Sequence, residues 1–252
     1  MVHPALIPTA HRPWPLPKRP WVMTMDWEDL LFLHWRVPAA ALQPHLPSGV
    51  EVDTFEGSAW LGLVPFRMAR TRARWLPPMP TACDFPELNL RTYVRVGGRP
   101  GVWFFSLDAA SWLAVVGARA SFGLPYFRAR MRCERLGDHL VYESERTDRR
   151  GPEARFRGRW RPIAAHRPTA VGSLEHFLTE RYCLFAVRRG VLLCGEIAHA
   201  PWQVAPAELQ LDVCSMTQLL GLQLEGPPVS ALAAAPLCVA AFAPRPVSAD
   251  SR

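Results

Sequence analysis

Lysine is almost missing from this sequence. Lys18 is the only one among 29 basic residues, and the other 28 are arginine. Arginine stays charged at any working pH and cannot serve as an amine nucleophile, so Schiff-base chemistry is excluded from the body of the chain. GxSxG, HExxH, Walker and GxGxxG motifs are also absent, which removes the usual hydrolase, zincin, P-loop and dinucleotide signatures. Six cysteines (Cys83, Cys133, Cys183, Cys194, Cys214 and Cys238) form neither a CxxC nor a His/Cys cluster. That spacing suits neither zinc nor a dense disulfide framework. Cys183 and Cys194 can approach across a hairpin, but buried free thiols are the expectation. No metal and no other cofactor is expected.

Long apolar runs are equally scarce. Residues 226–244 carry no charge, yet Pro227, Pro228, Pro236 and Pro244 interrupt them, so they cannot form one continuous membrane helix. They read as a loop followed by a buried final strand, LCVAAFA. Residues 1–20 hold six prolines and no apolar core of a secretory leader, and a cytoplasmic location is the expectation.

What remains is a 252-residue chain that is 49% hydrophobic, with a net charge of +7 and 26 prolines. The apolar share excludes disorder, and proline at about twice its usual ~5% argues for strands and turns over a helical bundle. Residues 1–20 read as an extended proline-rich arm, 21–245 as a single domain, and 246–252 as a disordered tail. Strands flank the turns at Glu56-Gly57, at 97–100 and at Arg189-Gly190. FRARMRCER, HLVYESER and ARFRGRWR form a meander. Short helices are expected in VPAAALQPHL, in AASWLAVVGARASF capped by Asp108, in LEHFLTER capped by Ser173, and in MTQLLG capped by Ser215 and ended by Gly221.

Three constellations can carry chemistry. In the run Glu87 to Arg95, period two puts Glu87, Asn89, Arg91, Tyr93 and Arg95 on one face and Leu88, Leu90, Thr92 and Val94 on the other. The plain reading is a half-buried strand with a solvated face. The sharper one turns this row into a barrel interior, where it could grip an anionic or carbonyl ligand. The second constellation is the meander. Arg128, Arg130 and Arg132 alternate with apolar residues, Glu143 and Glu145 follow on the next strand, and Arg155, Arg157, Arg159 and Arg161 on the third. With Phe156 and Trp160 interleaved, this outwardly resembles a nucleic-acid platform. The acidic strand between two basic ones argues instead for cross-strand ion pairs on a wet face. The third is the corner Gly123-Leu124-Pro125-Tyr126, where a helix gives way to a strand and Tyr126 is either a pocket residue or a core aromatic. Glu196 and His199 have the spacing of a helical metal pair but lie in an apparent strand, which sends them to opposite faces.

Taken in order, LHW at 33–35, LPSGV at 46–50, DTFEG at 53–57, AWLGLVPF at 59–66, NLRTYV at 89–94, FFSLDA at 104–109, GLPY at 123–126, TERY at 179–182 and HAPW at 199–202 resemble the YqjF-like family, a relative of acetoacetate decarboxylase. The resemblance spans about residues 21–210. It implies a mainly β (α+β) fold, an acetoacetate-decarboxylase-like antiparallel β barrel or cone with a few short peripheral helices. In the decarboxylase branch a Gly-x-Pro motif precedes two lysines, the first of which forms the Schiff base. Here Tyr126 and Phe127 follow Gly123-Leu124-Pro125, so that mechanism is rejected while the pocket can survive. Glu87 matches an acidic pocket residue of that branch. The ligand-binding candidates are therefore Glu87, Asn89, Arg91, Tyr93, Arg119 and Tyr126. His34 is either a site member or a satisfied core histidine. Arg91 or Arg119 would pair with a ligand carboxylate, the two tyrosines would donate to a carbonyl, and Glu87 would serve as acid or base. The expected partner is a small organic acid or carbonyl compound. A nucleic-acid module built on Arg128–Arg161 is the alternative, no membrane partner is expected, and related folds suggest self-association.

Overall fold

The computed structural model describes residues 3–6, 9–77 and 80–247. Sixteen strands form one large hydrogen-bonded sheet. They are β1 (Trp21–Glu28), β2 (Leu30–Val37), β3 (Glu51–Val52), β4 (Ala59–Ala73), β5 (Phe85–Val96), β6 (Arg99–Ala109), β7 (Tyr126–Leu136), β8 (His139–Arg146), β9 (Arg155–Pro162), β10 (Arg167–Pro168), β11 (Cys183–Arg188), β12 (Val191–Ala198), β13 (Gln203–Cys214), β14 (Ser230–Ala234), β15 (Leu237–Phe242) and β16 (Arg245–Pro246). The helices are short: α1 (Ala39–Leu42), α2 (Pro80–Cys83), α3 (Trp112–Phe122) and α4 (Leu174–Thr179). No helix among the described residues is long and apolar enough to cross a membrane.

Most neighbours are antiparallel, but β6 pairs in parallel with both β7 and β11. The sheet is therefore mixed, though mainly antiparallel as expected. Long connections cause this: α3 returns the chain from the end of β6 to the start of β7 alongside it, a path no tight hairpin can take. The pairings curl the sheet back on itself, since β4 takes β1 along one half and β2 along the other, while β6 also pairs β5.

Curling gives β2, β4 and β5 two buried faces. Leu30, Phe32, Val64, Phe66 and Met68 enter one apolar cluster, with Tyr126, Trp202 and Val239. The residues between them, Leu31, Leu33, Leu61, Leu63, Leu88 and Leu90, enter a second, with Tyr142, Phe156 and Trp160. Side chains alternate across a pleated strand, so a strand walled on both sides reads as a nearly continuous apolar run. That is the pattern of LLFLHW and AWLGLVPF.

Several local expectations need correction. Ser111, not Asp108, caps α3, its Oγ accepting from the Ala114 N–H at 3.2 Å; Asp108 belongs to β6 and is buried. Ser215 makes no cap and instead accepts from the Arg155 N–H at 2.9 Å. VPAAALQPHL divides into α1 and a 3-10 turn at Gln43–His45, because Pro44 cannot donate the helical hydrogen bond. The loop expected before the last strand contains β14, which pairs β2 and β13. Ser173 does cap α4, accepting from the His176 N–H at 3.2 Å.

The two chain ends are held to β12. In the range read as an arm, Arg12 donates to the Ile197 carbonyl at 2.8 Å, and Trp14 and Arg19 reach Glu196 at 3.2 and 3.1 Å. Where the range read as a tail begins, Pro246 pairs Leu193, next to Arg245 on Cys194; residues 248–252 lie outside the described residues.

Candidate functional site

A cavity of about 730 Å³ occupies the first cluster. Met25 and Trp27 of β1, Phe66 and Met68 of β4, and Phe32 and Trp202 supply much of its apolar wall. Trp27 and Trp202 stack at 5.7 Å, and Phe32 meets Trp202 edge-on at 5.0 Å. Arg72, Leu76, Pro77 and Arg188 line it and are exposed, which places the mouth at that end.

One row of polar groups faces this space. Glu87, Asn89 and Arg91 line the cavity, while Leu88 and Leu90 between them pack into the second cluster. Both faces of the strand are thus enclosed at these positions, and the row is not solvated there. Tyr126 comes from the helix-to-strand corner. Gly123 ends α3 at φ 70°, where a Cβ would lie 2.8 Å from the Arg188 Cβ, so glycine is required on both counts. After it Pro125 starts the parallel strand, and Tyr126 turns inward. Phe127 turns away, beneath the Arg146 guanidinium at 4.2 Å.

The Tyr126 hydroxyl donates to Glu87 Oε2 at 2.9 Å. Burial pushes the Glu87 carboxyl up to about 8 from its ordinary 4.5, against the downward pull of the hydrogen bonds from Tyr126 and Asn89. At neutral pH Glu87 is accordingly a neutral acid. Burial and the neighbouring Glu87 also push the Tyr126 phenol well up. Tyr142 reaches through from the second cluster, its hydroxyl donating to the backbone carbonyls of Glu87 at 2.7 Å and Phe66 at 3.1 Å. The acid is fixed by groups on both sides of the wall.

Deeper along β5, Arg91 Nη2 donates to the Leu178 carbonyl at 3.1 Å and to the Tyr93 hydroxyl at 3.3 Å. Gly62 on β4 faces Arg91, and a Cβ there would press on Arg91 Cγ at 3.3 Å and His34 Nε2 at 3.1 Å. Arg91 forms no ion pair with a carboxylate among the described residues, and its Nε has no hydrogen-bond partner. Trp27 Nε1, Thr71 Oγ1 and Asn89 Oδ1 are also buried without a partner, and all four residues line the cavity. An apolar hollow of this size with Glu87, Asn89 and Arg91 on one wall is the binding-site candidate.

The remaining sequence candidates take other places. Tyr93 and His34 do not line the cavity but stand behind Arg91. The Tyr93 hydroxyl donates to the Leu178 carbonyl at 2.6 Å and lies 2.6 Å from His34 Nε2. Since the hydroxyl proton goes to Leu178, His34 must carry its proton on Nε2 and donate. Burial, then the Arg91 charge, hold His34 well below its usual range, so it is neutral. Arg119 is also off the wall, its Nη1 donating to the Tyr126 carbonyl at 2.8 Å. It fastens α3 to the strand that carries Tyr126. Lys18 is exposed and does not line the cavity.

Sequence reasoning missed the aromatic wall and the Asp108–Arg146 pair. Met23, Met25 and Trp27 alternate along WVMTMDWE, a period-two signal that marks one face but not what it encloses. Arg146 closes on Asp108 at 2.6 Å with both side chains fully buried; in the sequence it is one more arginine of the meander.

The outer face of that meander is charge-compensated. Arg130 pairs Glu145 across β7 and β8 at 3.3 Å, Arg155 reaches the same Glu145 at 3.5 Å, and Arg161 bonds Asp138 and Glu208, each at 2.7 Å. Nothing on this face favours nucleic acid over solvent.

Comparison with known proteins places this geometry. Uncharacterized protein YqjF of Bacillus subtilis (strain 168) is 45% identical over 204 residues, 81% of this chain and 84% of that protein. An acetoacetate decarboxylase-like enzyme from Sphingomonas wittichii RW1 superposes with a TM-score of 0.63 at 13% identity, covering 95% of this chain and 98% of that one. The enduracididine biosynthesis enzyme MppR, complexed with pyruvate, superposes with a TM-score of 0.61 at 14% identity, covering 94% and 93%. The fold is acetoacetate-decarboxylase-like. The model of the family DUF2071, described as uncharacterized conserved protein, matches residues 24–240, and this chain belongs to that family.

Proposed function

We propose that the cavity binds a small organic acid or carbonyl compound, without the lysine Schiff base of acetoacetate decarboxylase. The observation that carries this reading is the neutral Glu87 held by Tyr126 in an apolar cavity that also contains Arg91, a cation with no carboxylate partner among the described residues. A half-buried guanidinium on the cavity wall with no carboxylate partner among the described residues suits a ligand carboxylate, because charge-assisted hydrogen bonds repay desolvation where a neutral ligand would not. Glu87, protonated below about pH 8, can donate to a carbonyl oxygen and return as a carboxylate base above it. Asn89 lines the cavity between the two. The pyruvate held by the MppR structure is a ligand of the proposed class on the same fold.

The test is a titration of the full chain with 2-oxo acids from pyruvate to phenylpyruvate, followed by tryptophan fluorescence and calorimetry. At least one acid binds, and Arg91→Gln weakens it by roughly tenfold or more. Tyr126→Phe weakens it less and raises the Glu87 titration above 8, because it removes the hydrogen bond that favours the carboxylate. Unchanged affinity in both folded variants would sink the reading.

A further inference from the structure

We infer that the ligand is an amphipathic acid with a long alkyl or aryl body, its carboxylate at Arg91 and its apolar part running toward the mouth. This rests on the acid-binding reading above and deepens it.

The strand register orders the cavity from rim to closed end. On the β4–β5 pair, Met68 faces Phe85, Phe66 faces Glu87, Val64 faces Asn89 and Gly62 faces Arg91. The exposed rim residue Arg72 lies beyond Met68 on the same strand. From Met68 to Gly62 is six residues, so at about 3.3 Å per residue the Phe85 and Arg91 levels lie roughly 20 Å apart. A three-carbon acid is only about 4 Å long from its bond lengths. Seated on Arg91, it would end far short of the mouth and leave the Trp27–Trp202 wall uncovered. A cavity of about 730 Å³ matches ligands of drug size, typically held in pockets of roughly 300–1,000 Å³.

Polarity follows the same axis. Glu87, Asn89 and Arg91 lie on one strand, while the β1 side presents Met23, Met25 and Trp27. Apart from Trp27, Thr71 and the rim residue Arg72, water filling that side would meet apolar side chains, whereas an alkyl chain or ring gains apolar contact. At the rim, Arg72 and Arg188 form no ion pair with a carboxylate among the described residues. Their charge draws an anion to the opening, and Arg91, farther in along β5, receives it.

The experiment titrates the full chain with straight-chain monocarboxylates from acetate to dodecanoate, with decanol as the uncharged control. It is read by the fluorescence of Trp27 and Trp202 and by calorimetry. Affinity should rise about three- to fourfold per added methylene until the cavity is filled, and decanoate should outbind decanol. Ala118→Phe, which narrows the cavity from the α3 wall, should weaken decanoate at least tenfold and butyrate much less. If acetate and butyrate bind as tightly as decanoate, the long-body inference is overturned and acid binding stands. If decanol binds as well as decanoate and Arg91→Gln alters neither, the acid reading itself fails and the inference with it.

Discussion

β5 and β6 carry two buried acids, one on each side of the same wall. Asp108 faces the filled cluster, where Arg146 meets it with two nitrogens, Nε at 3.1 Å and Nη2 at 2.6 Å. Glu87, across the strand pair, faces the hollow cluster and meets only neutral donors. Burial pushes both carboxyls up; the Arg146 guanidinium offsets part of the rise for Asp108, while nothing charged does this for Glu87. Equal burial therefore produces opposite roles. The paired charge fastens β6 to β8, and the unpaired one stays protonated and poised toward a cavity. Buried ion pairs add little net stability once desolvation is counted, but a half-pair is costly.

That contrast can be broken from either side. The largest effect is expected from Asp108→Ala, which strands the Arg146 charge in the core and should cost about 3–5 kcal/mol, measured by urea denaturation. A loss below about 1 kcal/mol would mean that water reaches the pair. Glu87→Gln should act in the opposite direction and only above about pH 4.5. The folded protein holds a proton on Glu87 that the unfolded chain releases between pH 4.5 and about 8. Wild-type stability therefore falls as pH rises through that window. The variant should escape the fall, gaining up to about 5 kcal/mol over wild type at pH 9 and almost nothing at pH 4. Denaturation midpoints across pH 4–9 check this, and a pH-independent difference would refute the raised titration. The smallest effect belongs to the outer face. Arg130→Ala or Arg155→Ala should leave the midpoint within experimental error, because exposed ion pairs such as theirs with Glu145 are screened by water and salt.

The residues that could be read correctly from the sequence are those whose neighbours along the chain decide their state. Period two in the Glu87 to Arg95 run separates Glu87, Asn89 and Arg91 from Leu88 and Leu90, and the structure keeps that separation. The Gly123-Leu124-Pro125 corner announces a turn that aims Tyr126. Local pattern failed where two residues compete for one role, as Asp108 and Ser111 did for the α3 cap. There the tertiary partner decided, since Arg146 claims Asp108 for the core.

The sequence by itself determined that this protein is strand-rich, that its body holds no amine for a Schiff base, and that Tyr126 and Phe127 follow Gly123-Leu124-Pro125. Those conclusions depend on residue identity and spacing, which the chain states directly. Only the tertiary structure decided that both faces of β5 are buried, that Arg91 lines a cavity while Tyr93 and His34 brace it from behind, and that Arg146 is a core residue among surface arginines. These depend on which strands meet across long connections. Alternation says which residues share a face, and the closure of the sheet says what that face sees.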